Sequence, residues 1–407
     1  MKRLSLLGVM AVALLVRGVA HLTVAPAVPT TWESEEIAVN LVEGRGFACS
    51  YLGTVYRAYK PPLYELLCAG IYRVAGHHWL PVRLMQWGFG ALLAGTVTLI
   101  ARRGWGNRLA IAAGMMTALH PALVFYDTHQ LAALTLAAWL IAMVILMGLW
   151  TDERPTGRRL ALLGAAIGLA MYERGTAGIL LPLSVAWLWW RHRALGWRRV
   201  MGPVVVGWLI VLAPWLARNV LVYHRLVGMT SLTGELLWRG NHPGATGTAV
   251  TTELIPILHA ASPEFLKRLE GLGELQQQTV FRQEAFAFLR ARPWEALQLF
   301  ARKLGYFWWF APTSGYRYPP AYLAVYRVLY GGLLLSAIVG LWYGFPRAPA
   351  ATRAVAGMIV MAGLGLSLAQ ALYYVEVRHR WVVEPLMIML SVWGLERMAV
   401  RRAYHSG

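Results

Sequence analysis

Long apolar runs alternate with short basic loops along this chain. The first run follows Met1-Lys2-Arg3 and extends to Ala20, ending at Arg17 and His21. No clear cleavage site follows, so it reads as an uncleaved first span. Further runs lie at 81–101, 108–126, 129–150, 159–173, 176–190, 200–221, 321–345, 354–373 and 381–398. A helix needs roughly 17–25 apolar residues to cross a bilayer, and two of these runs are short. The runs are continuous rather than alternating, so the pattern predicts helices and not a barrel. The expected fold class is therefore an all-α polytopic membrane protein with about ten transmembrane helices.

The short loops give an orientation. Lys2-Arg3, Arg102-Arg103-Arg108, Arg154-Arg158-Arg159, Arg191-Arg193-Arg198-Arg199, Arg347-Arg353 and Arg397-Arg401-Arg402 all fall on one side. The opposite short loop, His120 to His129, has no Lys or Arg. Positive charge marks the cytoplasmic side. This alternation requires that 293–312 does not cross. That run begins at Pro293 and carries Arg302-Lys303, so it reads as an interfacial helix with Trp308-Trp309-Phe310 at headgroup depth. Two large non-cytoplasmic segments remain, 23–80 and 222–320. The expected organisation is an N-terminal module, 1–222, a long loop with its interfacial helix, 223–320, and C-terminal helices, 321–407.

The first loop predicts two helices. Thr30-x-x-Glu33 has the spacing of a capping box, and Ile37, Ala38, Leu41 and Val42 make one apolar face before Gly44 ends the helix. Glu33, Glu36, Asn40 and Glu43 lie on the other face. The second helix begins at Lys60-Pro61-Pro62, and Leu63, Leu66, Leu67, Gly70, Ile71 and Val74 form a membrane-facing stripe. A helix N-terminus offers free N–H groups and a positive dipole end. With Lys60 beside it, the position reads either as a phosphate site or as a snorkelling lysine.

Composition agrees with the pattern. Of 407 residues, 58% are hydrophobic and only 14% are charged, with a mean hydropathy of +0.49. The net charge of +19 does not indicate nucleic acid, because the arginines sit between apolar runs. Cys49 and Cys68 form no metal pattern; they are two free thiols or a single bridge.

Polar residues that this layout does not require are the candidates for chemistry. Glu33 is either a cap in a solvated stripe or a reactive carboxylate. Glu376-x-Arg378-His379-Arg380 puts positive charge on the non-cytoplasmic side, against the short-loop bias, which an anionic ligand would explain. Pro214-Trp215 with Arg218-Asn219 opens the long loop. Gly234-Glu235-Leu236-Leu237-Trp238-Arg239-Gly240-Asn241-His242-Pro243-Gly244-Ala245-Thr246-Gly247 is a Gly-rich turn without the spacing of a nucleotide-binding loop.

Taken in order, these pieces resemble a family. Trp32-Glu33-x-x-x-Ile37-Ala38-x-Asn40-Leu41-x-x-Gly44-x-Gly46-Phe47 resembles the first-loop signature of bacterial GT-C glycosyltransferases, in particular glycosyltransferase family 39, with its protein mannosyltransferases and lipid A aminoarabinose transferases. Lys60-Pro61-Pro62-Leu63-Tyr64, Pro214-Trp215-x-x-Arg218-Asn219, Gly240-Asn241-x-Pro243-Gly244-Ala245-x-Gly247 and Arg378-His379-Arg380 with Glu384-Pro385-Leu386 are similar to further motifs of that family. The chain departs from it in three places. Glu33 stands where many relatives have Asp. Tyr59 stands where the aminoarabinose transferases have Glu, and His379 where Tyr is usual.

The resemblance implies the GT-C fold and a polyprenyl-phosphate-linked sugar as donor. It implies transfer to an acceptor hydroxyl on a glycolipid, polysaccharide or protein, with inversion, at the outer face of a bacterial inner membrane. Glu33 would be the base. Lys60, Arg378, His379, Arg380, Arg218 and Asn241 would bind substrate. A divalent metal near Glu33 is compatible with this chemistry, but the sequence offers no ligand set for one. The partners expected are the lipid-linked donor, membrane lipid and an acceptor, and no nucleic acid. Rival readings are a lipid or lipid-linked-sugar flippase, for which Arg17 and Glu173-Arg174 are intramembrane charges, and a polysaccharide polymerase or ligase.

Overall fold

The computed structural model describes residues 2–313 and 318–405. Of the basic loop positions above, the Lys2, Arg3, Arg401 and Arg402 side chains lie outside what it describes. Apolar runs become helices because only a helix satisfies its own backbone within lipid. The first is α1 (Lys2–Thr23). Then comes an extramembrane segment built from α2 (Glu33–Val42), a β1–β2 hairpin (Cys49–Tyr51 and Thr54–Tyr56) and α3 (Leu63–Ala75). The hairpin was not expected. Its turn has positive φ at both Leu52 and Gly53, the twist that matches two-residue hairpins. The thiols of Cys49 and Cys68 are both free and buried, so there is no bridge between them.

The capping box is not formed. α2 starts at Glu33 itself, with Trp32 as its N-cap and no side-chain cap, while Thr30 N donates to His129 O at 3.0 Å. Along α3, Leu66 and Val74 are exposed whereas Tyr64, Cys68 and Tyr72 are buried, in keeping with an apolar stripe turned toward lipid.

α4 (Trp79–Ala118) is a helical hairpin, because Gly106 has φ 78 and ψ 179 in its interior. A Cβ on Gly114 would lie 2.0 Å from Thr98 Oγ1, so the residues after Gly106 fold back onto those before it. Here the sequence predicts two spans. The second is broken: helix stops at Leu119, and α5 (Pro121–His129) restarts with His120 as its N-cap. Pro121 has no N–H to continue the ladder, and its ring clashes with the preceding turn. The break is packed within protein, where irregular backbone at membrane depth is tolerated. His120 Nε2 lies 2.7 Å from Glu384, and Arg17 Nε donates to Asp127 at 2.7 Å, all four residues being fully or almost fully buried. Arg17 is thus a paired, internal charge.

Next come α6 (Leu134–Glu153), α7 (Gly157–Met171), α8 (Leu180–Arg191) and α9 (Trp197–Tyr223). α7 and α9 approach backbone to backbone. A Cβ on Gly164 would lie 1.8 Å from Val204 O, and one on Gly207 would lie 1.9 Å from Ala161 O. Helices in lipid associate through such small-residue contacts. Gly207→Val is therefore expected to destabilise the fold by about 3 kcal/mol or more, read as a lower melting temperature in detergent. Gly202→Val, in open space on the same helix, should leave it nearly unchanged. Equal melting of the two variants would contradict the close packing.

The second extramembrane segment holds α10 (Thr233–Gly240), α11 (Pro263–Lys267), α12 (Glu274–Ala291) and α13 (Pro293–Trp308). Residues 314–317 of the long loop lie outside those described. α13 exposes Trp294 and Leu297 but buries Lys303 completely, whose Nζ donates to Gly240 O at 3.1 Å and Asn241 Oδ1 at 3.0 Å. The chain closes with α14 (Pro320–Val339), α15 (Ala350–Ala371), α16 (Val377–Trp381) and α17 (Glu384–His405). Among the described residues, 6 helical stretches are long and apolar enough to cross a membrane: Ser5–Thr23, Trp79–Ala118, Leu134–Glu153, Trp197–Tyr223, Pro320–Arg347 and Ala350–Ala371. The remaining expected spans correspond to the second arm of α4 and to α7, α8 and α17, which are shorter or more charged.

Candidate active site

The site starts at the first turn of α2. Glu33 is half-buried there. Lys60 Nζ lies 3.1 Å from Glu33 Oε2, and Tyr59 OH donates to Glu33 Oε1 at 3.1 Å. Burial works against ionisation of Glu33, but the Lys60 charge, with hydrogen bonds from backbone, Lys60 and Tyr59, outweighs it and leaves the pKa below the usual carboxylate value. Lys60 also donates to Ser34 Oγ at 3.1 Å, and Ser34 donates to Glu65 Oε1 at 2.8 Å. Lys60 is thus fixed between two acidic groups. The N-terminus of α3 is less open than expected, because Leu63 N donates to Tyr172 O at 3.1 Å.

A cavity of about 510 Å³ opens beside this cluster. Glu33, Ser34, Tyr59, Lys60 and Glu65 line one part of it, and Arg174, Arg239, Gln370, Tyr374, Arg378 and His379 line another. Lys60 and Arg378, more than 300 positions apart in sequence, face one space. Arg378 Nη2 pairs with Glu376 at 2.9 Å. His379 Nδ1 accepts from Glu376 N at 3.1 Å. Burial, with Arg174 and Arg378 nearby, holds the His379 pKa well below the ordinary imidazole value. Arg239 Nε donates to Glu235 Oε1 at 2.8 Å and Nη2 to Tyr51 OH at 3.0 Å.

The other sequence candidates lie elsewhere. Arg380 is fully buried, pairs with Glu384 at 2.7 Å and sits 3.6 Å from the centre of the Tyr330 ring. Arg218 donates to Arg57 O at 2.7 Å and lies over Trp215. Asn241 Nδ2 donates to Leu237 O and Leu372 O, both at 2.8 Å. None of the three lines the cavity. Among the described residues, no group of three or more His, Cys, Asp or Glu is placed to hold a metal.

The architecture has solved counterparts. The crystal structure of the Archaeoglobus fulgidus oligosaccharyltransferase in complex with Zn and sulfate superposes with a TM-score of 0.58 at 15% identity, covering 98% of this chain and 50% of that one. The archaeal oligosaccharyltransferase AglB from the same organism, in complex with an inhibitory peptide and a dolichol-phosphate, gives 0.53 at 14%, covering 98% and 51%. The fold is GT-C. ArnT from Cupriavidus metallidurans bound to undecaprenyl phosphate also matches, with a TM-score of 0.43 at 18% identity, covering 97% and 78%. Residues 59–217 of this GT-C chain match the family model described as dolichyl-phosphate-mannose-protein mannosyltransferase. No curated protein matches the sequence. The chain spans about half the length of the oligosaccharyltransferases it superposes on.

Within the GT-C frame, sequence reasoning passed over several cavity residues. Tyr59 registered only as a departure from the family pattern, yet it holds Glu33. Glu173 and Arg174 close an apolar run, a position that in the sequence suits a transporter, yet both line the cavity. Arg239 was hidden inside the Gly-rich stretch.

Proposed function

We propose that this protein is a membrane glycosyltransferase that moves a sugar from a polyprenyl-phosphate donor to an acceptor hydroxyl with inversion. The observation that carries this reading is a single cavity with an ionised carboxylate, Glu33, at one part and several cationic side chains converging on it. Glu33 takes the acceptor proton as the acceptor oxygen attacks the anomeric carbon. The bond from that carbon to the phosphate oxygen breaks, and its electron pair leaves with the polyprenyl phosphate. Charge develops on that phosphate, and Lys60 and Arg378 stand ready to meet it. The match of residues 59–217 to a dolichyl-phosphate-mannose transferase model and the dolichol-phosphate held by one structural neighbour support this donor class. The acceptor is a glycolipid, polysaccharide or protein hydroxyl.

The arginine-rich short loops support a bacterial inner-membrane protein whose cavity faces the periplasm. Two experiments test the reading. A strain lacking the protein is expected to accumulate a polyprenyl-phosphate-linked sugar, cleared by the wild-type gene; unchanged lipid-linked sugars would contradict the donor assignment. In intact cells, a cysteine replacing His242 should react with an impermeant thiol reagent and one replacing Pro155 should not. The opposite labelling would invert the orientation.

A further inference from the structure

Four long cationic side chains line the cavity: Lys60, Arg174, Arg239 and Arg378. Three are already matched by a carboxylate. Lys60 pairs with Glu33 at 3.1 Å and Arg378 with Glu376 at 2.9 Å, and Arg239 Nε donates to Glu235 at 2.8 Å. Arg174 differs. Its Nη2 donates to Gln370 Oε1 at 3.0 Å and its Nε to Thr176 Oγ1 at 3.2 Å. Both partners are neutral, and among the described residues Arg174 forms no ion pair and its Nη1 has no hydrogen-bond partner. Its sequence neighbour Glu173 also lines the cavity but forms no ion pair with it among the described residues.

A protein gains nothing in stability from an uncompensated cation taken out of water. Such a group persists where a ligand supplies the missing charge. A phosphate entering beside Lys60 or Arg378 must share the cation with a carboxylate that repels it. Beside Arg174 the hydrogen-bond partners already in place, Gln370 and Thr176, carry no charge. Gln370 steadies the guanidinium, and its own Nε2 donates to Tyr374 O at 2.8 Å, which ties Arg174 to the segment that carries Arg378.

We propose that Arg174 binds the phosphate of the lipid-linked donor, as the cavity's unspent positive charge. This rests on the donor class proposed above. Gln370 and Thr176 hold the fork, and the free Nη1 edge takes a phosphate oxygen. Lys60 then serves first to hold Glu33, and Arg378 to hold Glu376, each adding to the field around the phosphate.

The test uses the purified full chain in detergent, with undecaprenyl phosphate and undecaprenol as paired probes. Arg174→Gln is expected to weaken undecaprenyl phosphate binding about tenfold or more, since a charge-assisted contact is lost, and to leave undecaprenol binding unchanged. Arg174→Lys should recover part of the loss. Inorganic phosphate should compete with undecaprenyl phosphate on the wild type and less on Arg174→Gln if the headgroup alone is read. Without ligand, Arg174→Gln should melt no lower than the wild type, whereas Arg380→Gln, which breaks a buried pair, should melt well below it. Undiminished undecaprenyl phosphate binding by Arg174→Gln would overturn the assignment. So would equal losses for both probes, or melting as low as Arg380→Gln, either of which marks a structural residue. A wild type that binds undecaprenyl phosphate no better than undecaprenol would instead sink the donor class itself.

Discussion

Glu33→Gln is expected to lower the rate of sugar transfer by about a hundredfold to ten-thousandfold, the range over which a positioned base contributes. The substitution keeps the shape of the side chain and an oxygen able to accept from Tyr59 OH. It removes the charge that Lys60 faces at 3.1 Å. Lys60 is then released toward the cavity, so the anionic donor should bind no worse than to the wild type. A large drop in kcat with donor affinity held is the signature of a group acting in the transition state. Turnover and equilibrium donor binding on one preparation measure both. Transfer within about threefold of wild type would remove Glu33 from the role of base, since that is far below the usual contribution.

Lys60→Ala should cost on the order of a hundredfold in kcat, and it carries a second mark. The acid limb of the pH–rate profile reports protonation of the base. Lys60 is the main influence holding the Glu33 pKa below its usual value against the effect of burial. Without it the Glu33 pKa rises, so the acid limb moves to higher pH. Arg378 is better tested as Arg378→Lys, because its full removal would take the ion pair from the almost completely buried Glu376. Combined with Lys60→Ala it should give less than the product of the single effects, as expected when both act on one phosphate. An acid limb that stays in place in Lys60→Ala would mean that Glu33 is not the base being titrated.

The sequence made the helical frame readable, because a span is about twenty apolar residues and basic loops punctuate it. Finer features escaped for physical reasons. The β1–β2 hairpin is three residues a side, too short to leave a periodic signal. The break at His120-Pro121 lies inside an apolar run, where only the proline hints at it. Arg378 and Arg380 look equivalent in a motif, but residues two apart on a helix point to nearly opposite sides. One therefore lines the cavity, and the other is locked against Glu384 and Tyr330. Glu33 was read as the third residue of a capping box and is instead the first of its helix. That places it in the lining of the cavity rather than along a solvated stripe. Arg174 carries a visible charge in the sequence, but that its hydrogen-bond partners are the neutral Gln370 and Thr176 is a property of the fold alone.

The strand that leads into Tyr59 and Lys60 is pinned from far away. Arg57 N donates to Glu274 Oε2 at 2.8 Å and Ala58 N to Glu274 Oε1 at 3.2 Å, and the first of these contacts spans 217 positions. At about 5–20 residues per second of synthesis, that separation is roughly 10–40 s. During that interval the segment before Tyr59 and Lys60 lacks this anchor. Arg378 arrives later still. The cavity that Lys60 and Arg378 both line is therefore complete only once the last helices have been made.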